Sequence, residues 1–135
     1  MPKCATLPRT NLEAAFSNRA FRRVLTTWKR TQAVAMSLRP GQDIGAERHR
    51  KVEQVFLVVA GDGVATIDGR HLEIGMGSVF AACPGRKHNV RAGREGLKLL
   101  TFYTPPNHLE GRVHLTKADA EADLEDEAFG QKVGG

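Results

Sequence analysis

Apolar and polar residues alternate with a period of two along most of this chain, in short runs broken by glycine, proline and aspartate. Phe21 to Thr27 reads as a strand, and so does Gln32 to Leu38, which Arg39-Pro40-Gly41 stops. Val55 to Ala60 is the most apolar stretch: Gln54, Phe56, Val58 and Ala60 fall on one face, Val55, Leu57 and Val59 on the other. A strand apolar on both faces must be covered outside as well as inside. The folded-back N-terminal segment or a second subunit would serve, and a homodimer is expected. Gly61-Asp62-Gly63 predicts a turn into Val64–Ile67, and Asp68-Gly69 a tight hairpin into Arg70–Ile74. Gly75-Met76-Gly77 turns the chain into a strand from Ser78 to Cys83, which Pro84-Gly85 breaks. His88–Ala92 and Leu97–Tyr103 complete the set. Roughly eight or nine strands with closely spaced turns predict an all-β antiparallel barrel or jelly roll.

The ends differ from this middle. Asn11 is placed to cap a short helical turn over Leu12–Phe16, and Thr116 an acidic helix over Lys117–Glu127, with the last residues frayed. The chain therefore divides into an N-terminal arm (1–20), a barrel (21–115) and a helical tail (116–135). Residues 1–30 carry seven basic side chains against Glu13 alone, and the tail acids are expected either in solvent or against that basic region.

A length of 135 residues suits one core, and 41% hydrophobic content is that of a globular chain. The net charge of +5 permits anionic partners without selecting one. No basic run with interleaved aromatics is present, so nucleic acid is not expected as a partner. No apolar stretch is long enough to span a bilayer, and no secretory leader is evident. Two cysteines, Cys4 and Cys83, make no disulfide framework, and a cytoplasmic location is expected.

The candidate chemistry lies in two clusters. Glu47 and His49 are two apart, so an extended backbone puts them on one face, with Arg48 and Arg50 turned outward as exterior charges. Gln54 begins the next strand and His88 a later one. Alone, each has an ordinary structural explanation. Together they offer two imidazoles, a carboxylate and an amide oxygen, close to the donor set of non-haem iron sites and acceptable to other divalent metals. Arg86 and Lys87, beside His88, are candidates for binding an anionic substrate, and Tyr103 for lining the barrel mouth, as is His108. His108 otherwise counts with His71 and His114 as structural or surface, and Cys83 as a small buried apolar residue.

With these residues in place, the chain resembles a small single-domain cupin over about residues 20–115. The first cupin motif, G…H-x-H…E…G, is matched in frame by Gly41, Glu47, His49, Gln54 and Gly61. The second, G…P-x-G…H…N, is matched by Gly77, Gly85 and His88, with proline one place late at Pro84. The segments Leu97–His108 and Val113–Ala120 resemble the mannose-6-phosphate-isomerase-like subgroup. Glu47 stands where the family has its first histidine, Gln54 where it has glutamate, and Ala92 where it has asparagine; Glu53 would fit a shorter allowed spacing but faces the opposite side.

The resemblance implies an RmlC-like jelly roll, or double-stranded β-helix, with one divalent transition metal per chain (Mn, Fe, Ni or Zn) held by Glu47, His49, Gln54 and His88. It also implies a small-molecule ligand inside the barrel, with isomerase, decarboxylase or dioxygenase chemistry. The alternatives are a non-catalytic module binding a sugar or acid, and a metal-free dimeric scaffold.

Overall fold

A computed structural model describes residues 9–134. Lys3, Cys4, the loop at Leu7-Pro8 and Gly135 lie outside the described residues. The elements are α1 (Leu12–Ser17), β1 (Arg22–Thr27), β2 (Gln32–Leu38), β3 (Glu47–Arg48), β4 (Glu53–Ile67), β5 (Arg70–Gly75), β6 (Val79–Ala82), β7 (Lys87–Thr104), β8 (Val113–His114), α2 (Lys117–Ala122) and α3 (Leu124–Gly134). The strands form one antiparallel sheet ordered β5-β4-β7-β2-β1-β8, with β3 added on β7 and β6 on β4. The fold is a mostly-β jelly roll with short C-terminal helices.

Two long strands replace four expected short ones. β4 runs straight through Gly61-Asp62-Gly63, where a turn was expected, and β7 runs through Gly93–Gly96. The glycines serve bulges here: the β4–β7 register shifts between Val58 and Ala60 and again between Gly61 and Gly63. Gly61 has φ +86°, and a Cβ built there would lie 2.1 Å from the Gly96 carbonyl oxygen. Such close backbone approach lets β4 and β7 coil around the core while staying paired. The Asp68-Gly69 hairpin forms as expected, both residues at positive φ.

Phe56, Val58, Val34, Met36, Leu99 and Tyr103 fill the barrel, each almost wholly buried. Full burial of one such side chain contributes about 2 kcal/mol. The opposite faces of the same strands form a second, smaller cluster, in which Ala33, Ala35 and Leu100 meet Leu57, Val59 and Phe102. Ala15 of α1 packs into it, so the N-terminal segment supplies cover for the outer face. Asn11 caps α1 as expected, accepting from the Ala14 amide at 2.9 Å, and Lys98 ties down the other end through the Phe16 and Asn18 carbonyls.

The C-terminal segment departs from expectation. Thr116 caps α2 with Asp119 completing a capping box, but the helix stops at Asp123 and α3 starts afresh. Asp123 accepts from the Asp126 amide, from Arg112 (2.9 Å) and from His114 (2.9 Å), so its side chain caps α3. The tail does not fray within the described residues: the Gly134 carbonyl accepts from the Lys51 amide at 3.0 Å, and Gly134 is buried. Among the described residues, Arg112 and not the basic N-terminal region pairs with the tail acids Asp123 and Glu125. Gly130 and Gly134 bring α3 close to Asn107, where any side chain at Gly130 would meet the Asn107 backbone.

Candidate metal centre

Glu47 and His88 are cross-strand partners in the β3–β7 pair, which puts residues of the two clusters opposite each other. Gln54 pairs with Ala82 of β6 on one side and Tyr103 of β7 on the other, and its side chain points into the barrel with 1% exposure. The four expected donors converge. His49 Nε2 lies 3.1 Å from Glu47 Oε2, His88 Nε2 lies 4.0 Å from that same oxygen, and His88 Nε2 lies 3.1 Å from Gln54 Oε1.

These spacings fit a metal. Bonds of about 2.1 Å place neighbouring ligand atoms about 3.0 Å apart on an octahedron and about 3.4 Å apart on a tetrahedron. The surroundings aim the donors. Gln54 donates its amide N–H to Thr101 Oγ1 at 3.0 Å, which leaves Oε1 facing His88. Gln54 Oε1, an acceptor, lies 3.1 Å from His88 Nε2, so the ring donates from Nε2 in the absence of an ion; the Arg86 carbonyl, 3.4 Å from Nδ1, can take the ring proton when Nε2 turns its lone pair to a cation. Burial acts to raise the Glu47 carboxyl, but the hydrogen bond from His49, with Arg22 and His88 nearby, outweighs it and holds the group below the usual carboxylate range. Burial pushes His88 downward, against the pull of Glu47, and favours the neutral imidazole that a metal needs. Glu47, His49 and His88 together form a group able to hold a metal ion.

A cavity of about 640 Å³ adjoins the cluster, with Glu47 and His49 in its wall. Its other side is built from Asn107, His108 and Asp126, so the C-terminal helices roof the barrel mouth. Tyr103 is buried beneath, its ring edge-on to His49 at 6.2 Å and to His108 at 4.9 Å. Burial raises the Tyr103 phenol far above its ordinary value, with Arg22 opposing, so it remains a neutral hydroxyl.

Other sequence expectations come out differently. Arg86 is exposed and pairs with Asp68 at 2.7 Å, Lys87 is exposed, and neither lines the cavity. The hairpin turn captures that arginine because Asp68 also accepts from the Lys87 amide. Arg48, expected as an exterior charge, is exposed yet lines the cavity rim. Cys83 is exposed, not buried, because Ala82 is the last residue of β6 to turn inward before the Pro84-Gly85 turn.

His108 and His114 are both buried and both hold carboxylates, Asp126 at 2.7 Å and Asp123 at 2.9 Å. Sequence reading missed Arg22, Asn107 and Asp126 as cavity residues. The one signal was the pairing of two histidines just after the barrel with aspartates three apart in the tail.

Fold and site together define a cupin. Residues 34–103 match the cupin domain family model, Cupin_2, and the chain belongs to that family. It is 40% identical over 116 residues to the uncharacterized protein YrkC of Bacillus subtilis (strain 168), covering 81% of this chain and 62% of that protein. It thus spans less than two thirds of that relative's length. The crystal structure of BH2720 from Bacillus halodurans superposes with a TM-score of 0.82 at 36% identity, over 87% of this chain and 95% of that one. An RmlC-like cupin from Shewanella frigidimarina NCIMB 400 follows with a TM-score of 0.59 at 25% identity, over 63% of this chain and 75% of that one.

Proposed function

We propose that this cupin binds one divalent transition metal through Glu47, His49, His88 and Gln54, and acts on a small polar or anionic molecule in the adjoining cavity. The observation that carries the reading is the convergence of Glu47, His49 and His88, whose donor atoms all lie within 4.8 Å of one another, with Gln54 Oε1 3.1 Å from His88 Nε2, beside that cavity. When bound, the ion would supply Lewis-acid polarisation of a carbonyl or carboxylate group, or redox chemistry if it is iron. The chain's own contribution is the neutral His88 imidazole, His49 held against an anionic Glu47, and a roof of C-terminal helices over the cavity. Gln54 supplies no charge, so the metal is held by a single carboxylate. Elemental analysis of the purified protein tests the reading. Near-stoichiometric metal is expected in the wild type and loss of it in His49→Ala and His88→Ala; a metal-free wild type at saturating Mn, Fe, Ni and Zn refutes it.

The alternative, a binding module without turnover, draws support from the same neutral Gln54. A screen of keto acids and sugar phosphates for turnover distinguishes it from an enzyme. We further propose a homodimer, because α1 leaves Val79 66% exposed and Phe16 57% exposed on the outside of the barrel. Light scattering giving the mass of one chain would remove that proposal.

A further inference from the structure

Arg22 stands beside the donor cluster without belonging to it. It projects from β1 with its side chain 9% exposed, and among the described residues its one ion pair is with Glu47. Glu47 Oε1 lies 3.9 Å from Arg22 Nη2, beyond hydrogen-bonding distance. Oε2 is the oxygen that meets the imidazoles, 3.1 Å from His49 Nε2 and 4.0 Å from His88 Nε2. The carboxylate is thus shared, one oxygen toward the arginine and the other toward the metal donors.

The arginine is held from elsewhere. Its guanidinium carbon lies 5.4 Å from the centre of the Phe21 ring, and the Tyr103 hydroxyl accepts a hydrogen bond from it. Tyr103 is 1% exposed and neutral, so it anchors the arginine without cancelling its charge. A buried cation is costly to keep, and an ion pair this loose offsets little of that cost. An apolar side chain would serve packing better, so the feature to be explained is the charge.

The sum of charges gives its consequence. Glu47 contributes one negative charge and Arg22 one positive, while His49, His88 and Gln54 contribute none as ligands. Asp126, also buried in the cavity wall, is committed to His108 and the Leu109 amide, which donate to its two oxygens. A divalent ion among these donors therefore keeps an excess of positive charge.

We propose that Arg22 is a positioning residue for the metal centre: a built-in counter-charge that offsets Glu47, weakens the hold on the metal and leaves the bound ion to take up an anion from solution. This rests on the reading of Glu47, His49, Gln54 and His88 as the ligands of a divalent metal.

Calorimetry on the full chain tests it with Co(II), a spectroscopic stand-in for the divalent ion, and with azide as the anion, whose binding the visible spectrum of the Co(II) form records. In Arg22→Gln, Co(II) is expected to bind at least about tenfold tighter and azide at least about tenfold weaker. Arg22→Lys keeps the charge, and both affinities are expected within about threefold of wild type. A purely structural role gives another pattern, because lost packing would loosen the donors and lower both affinities together. Should Arg22→Gln fail to fold, Arg22→Met fills the space with an uncharged chain and is expected to show the same opposed shifts.

Unchanged Co(II) and azide affinities in the uncharged variant overturn the proposal, and so does a fall in both. A wild type that takes up Co(II) but no azide overturns it while the metal centre stands. A wild type that takes up no Co(II) removes the metal centre and this role with it.

Discussion

His108 donates its Nδ1–H to Asp126 Oδ2 across 2.7 Å, and through this bond the turn after the last long strand grips the C-terminal helix. The other oxygen of Asp126 accepts from the Leu109 amide at 2.7 Å, so both are engaged by the same turn. This carboxylate is the buried link among those that hold α3 over the cavity, beside the Asp123 cap and the Lys51–Gly134 bond. Asp126→Asn keeps the size but cannot accept at both places. It is expected to lower stability by about 1–3 kcal/mol in urea titration. Faster amide exchange confined first to α3 is the local signature, and uniform exchange across the barrel would contradict it.

Gln54→Glu restores a second carboxylate to the donor cluster. Divalent-metal affinity is expected to rise at least about tenfold, because an anion binds the cation more strongly than an amide oxygen does. The same change costs the metal-free protein stability. Gln54 is 1% exposed, and a carboxylate there would be a buried charge even where the Thr101 hydroxyl reverses its bond to donate to it. Metal titration and melting curves of the metal-free form check the two halves separately.

Acid should loosen the tail. Asp123 is lowered from 3.8 to about 2, first by its hydrogen bond from His114 and further by Arg112, while Glu125 shares Arg112 with it. Asp126 is also below its ordinary value: burial opposes this, and the bond from His108 prevails. Folded pKa values below the unfolded ones mean that the unfolded chain takes up protons first as pH falls. The stabilisation is whole above about pH 4 and is lost progressively towards pH 2. Melting temperature against pH should show this step, reduced in Asp123→Asn.

Gly61→Ala tests the coil of the two long strands. The new Cβ would fall 2.1 Å from the Gly96 carbonyl oxygen, in backbone at φ +86°. No rotamer relieves a clash with main chain, so a loss of about 3 kcal/mol or more is expected by chemical denaturation. Gly69→Ala, which meets nothing within 4 Å and carries only the positive φ of +80°, should cost much less.

The amino-acid sequence by itself determined the strands, the Asp68-Gly69 hairpin, the caps at Asn11 and Thr116, and the four candidate ligands. Each is a local matter, since period-two alternation and fixed spacing decide which side chains share a face. It mispredicted the turn at Gly61–Gly63, because a glycine that permits a bend and one that admits a neighbouring backbone look the same until that neighbour is known. Only the tertiary structure decided who lines the cavity. His108 was a candidate for the barrel mouth, but Arg22, Asn107 and Asp126 come from β1, the turn after β7 and α3, and their meeting with it depends on a roof closing over the barrel. Arg86 went the other way, drawn off by Asp68 at 2.7 Å, because long-range pairing overruled nearness in sequence to His88.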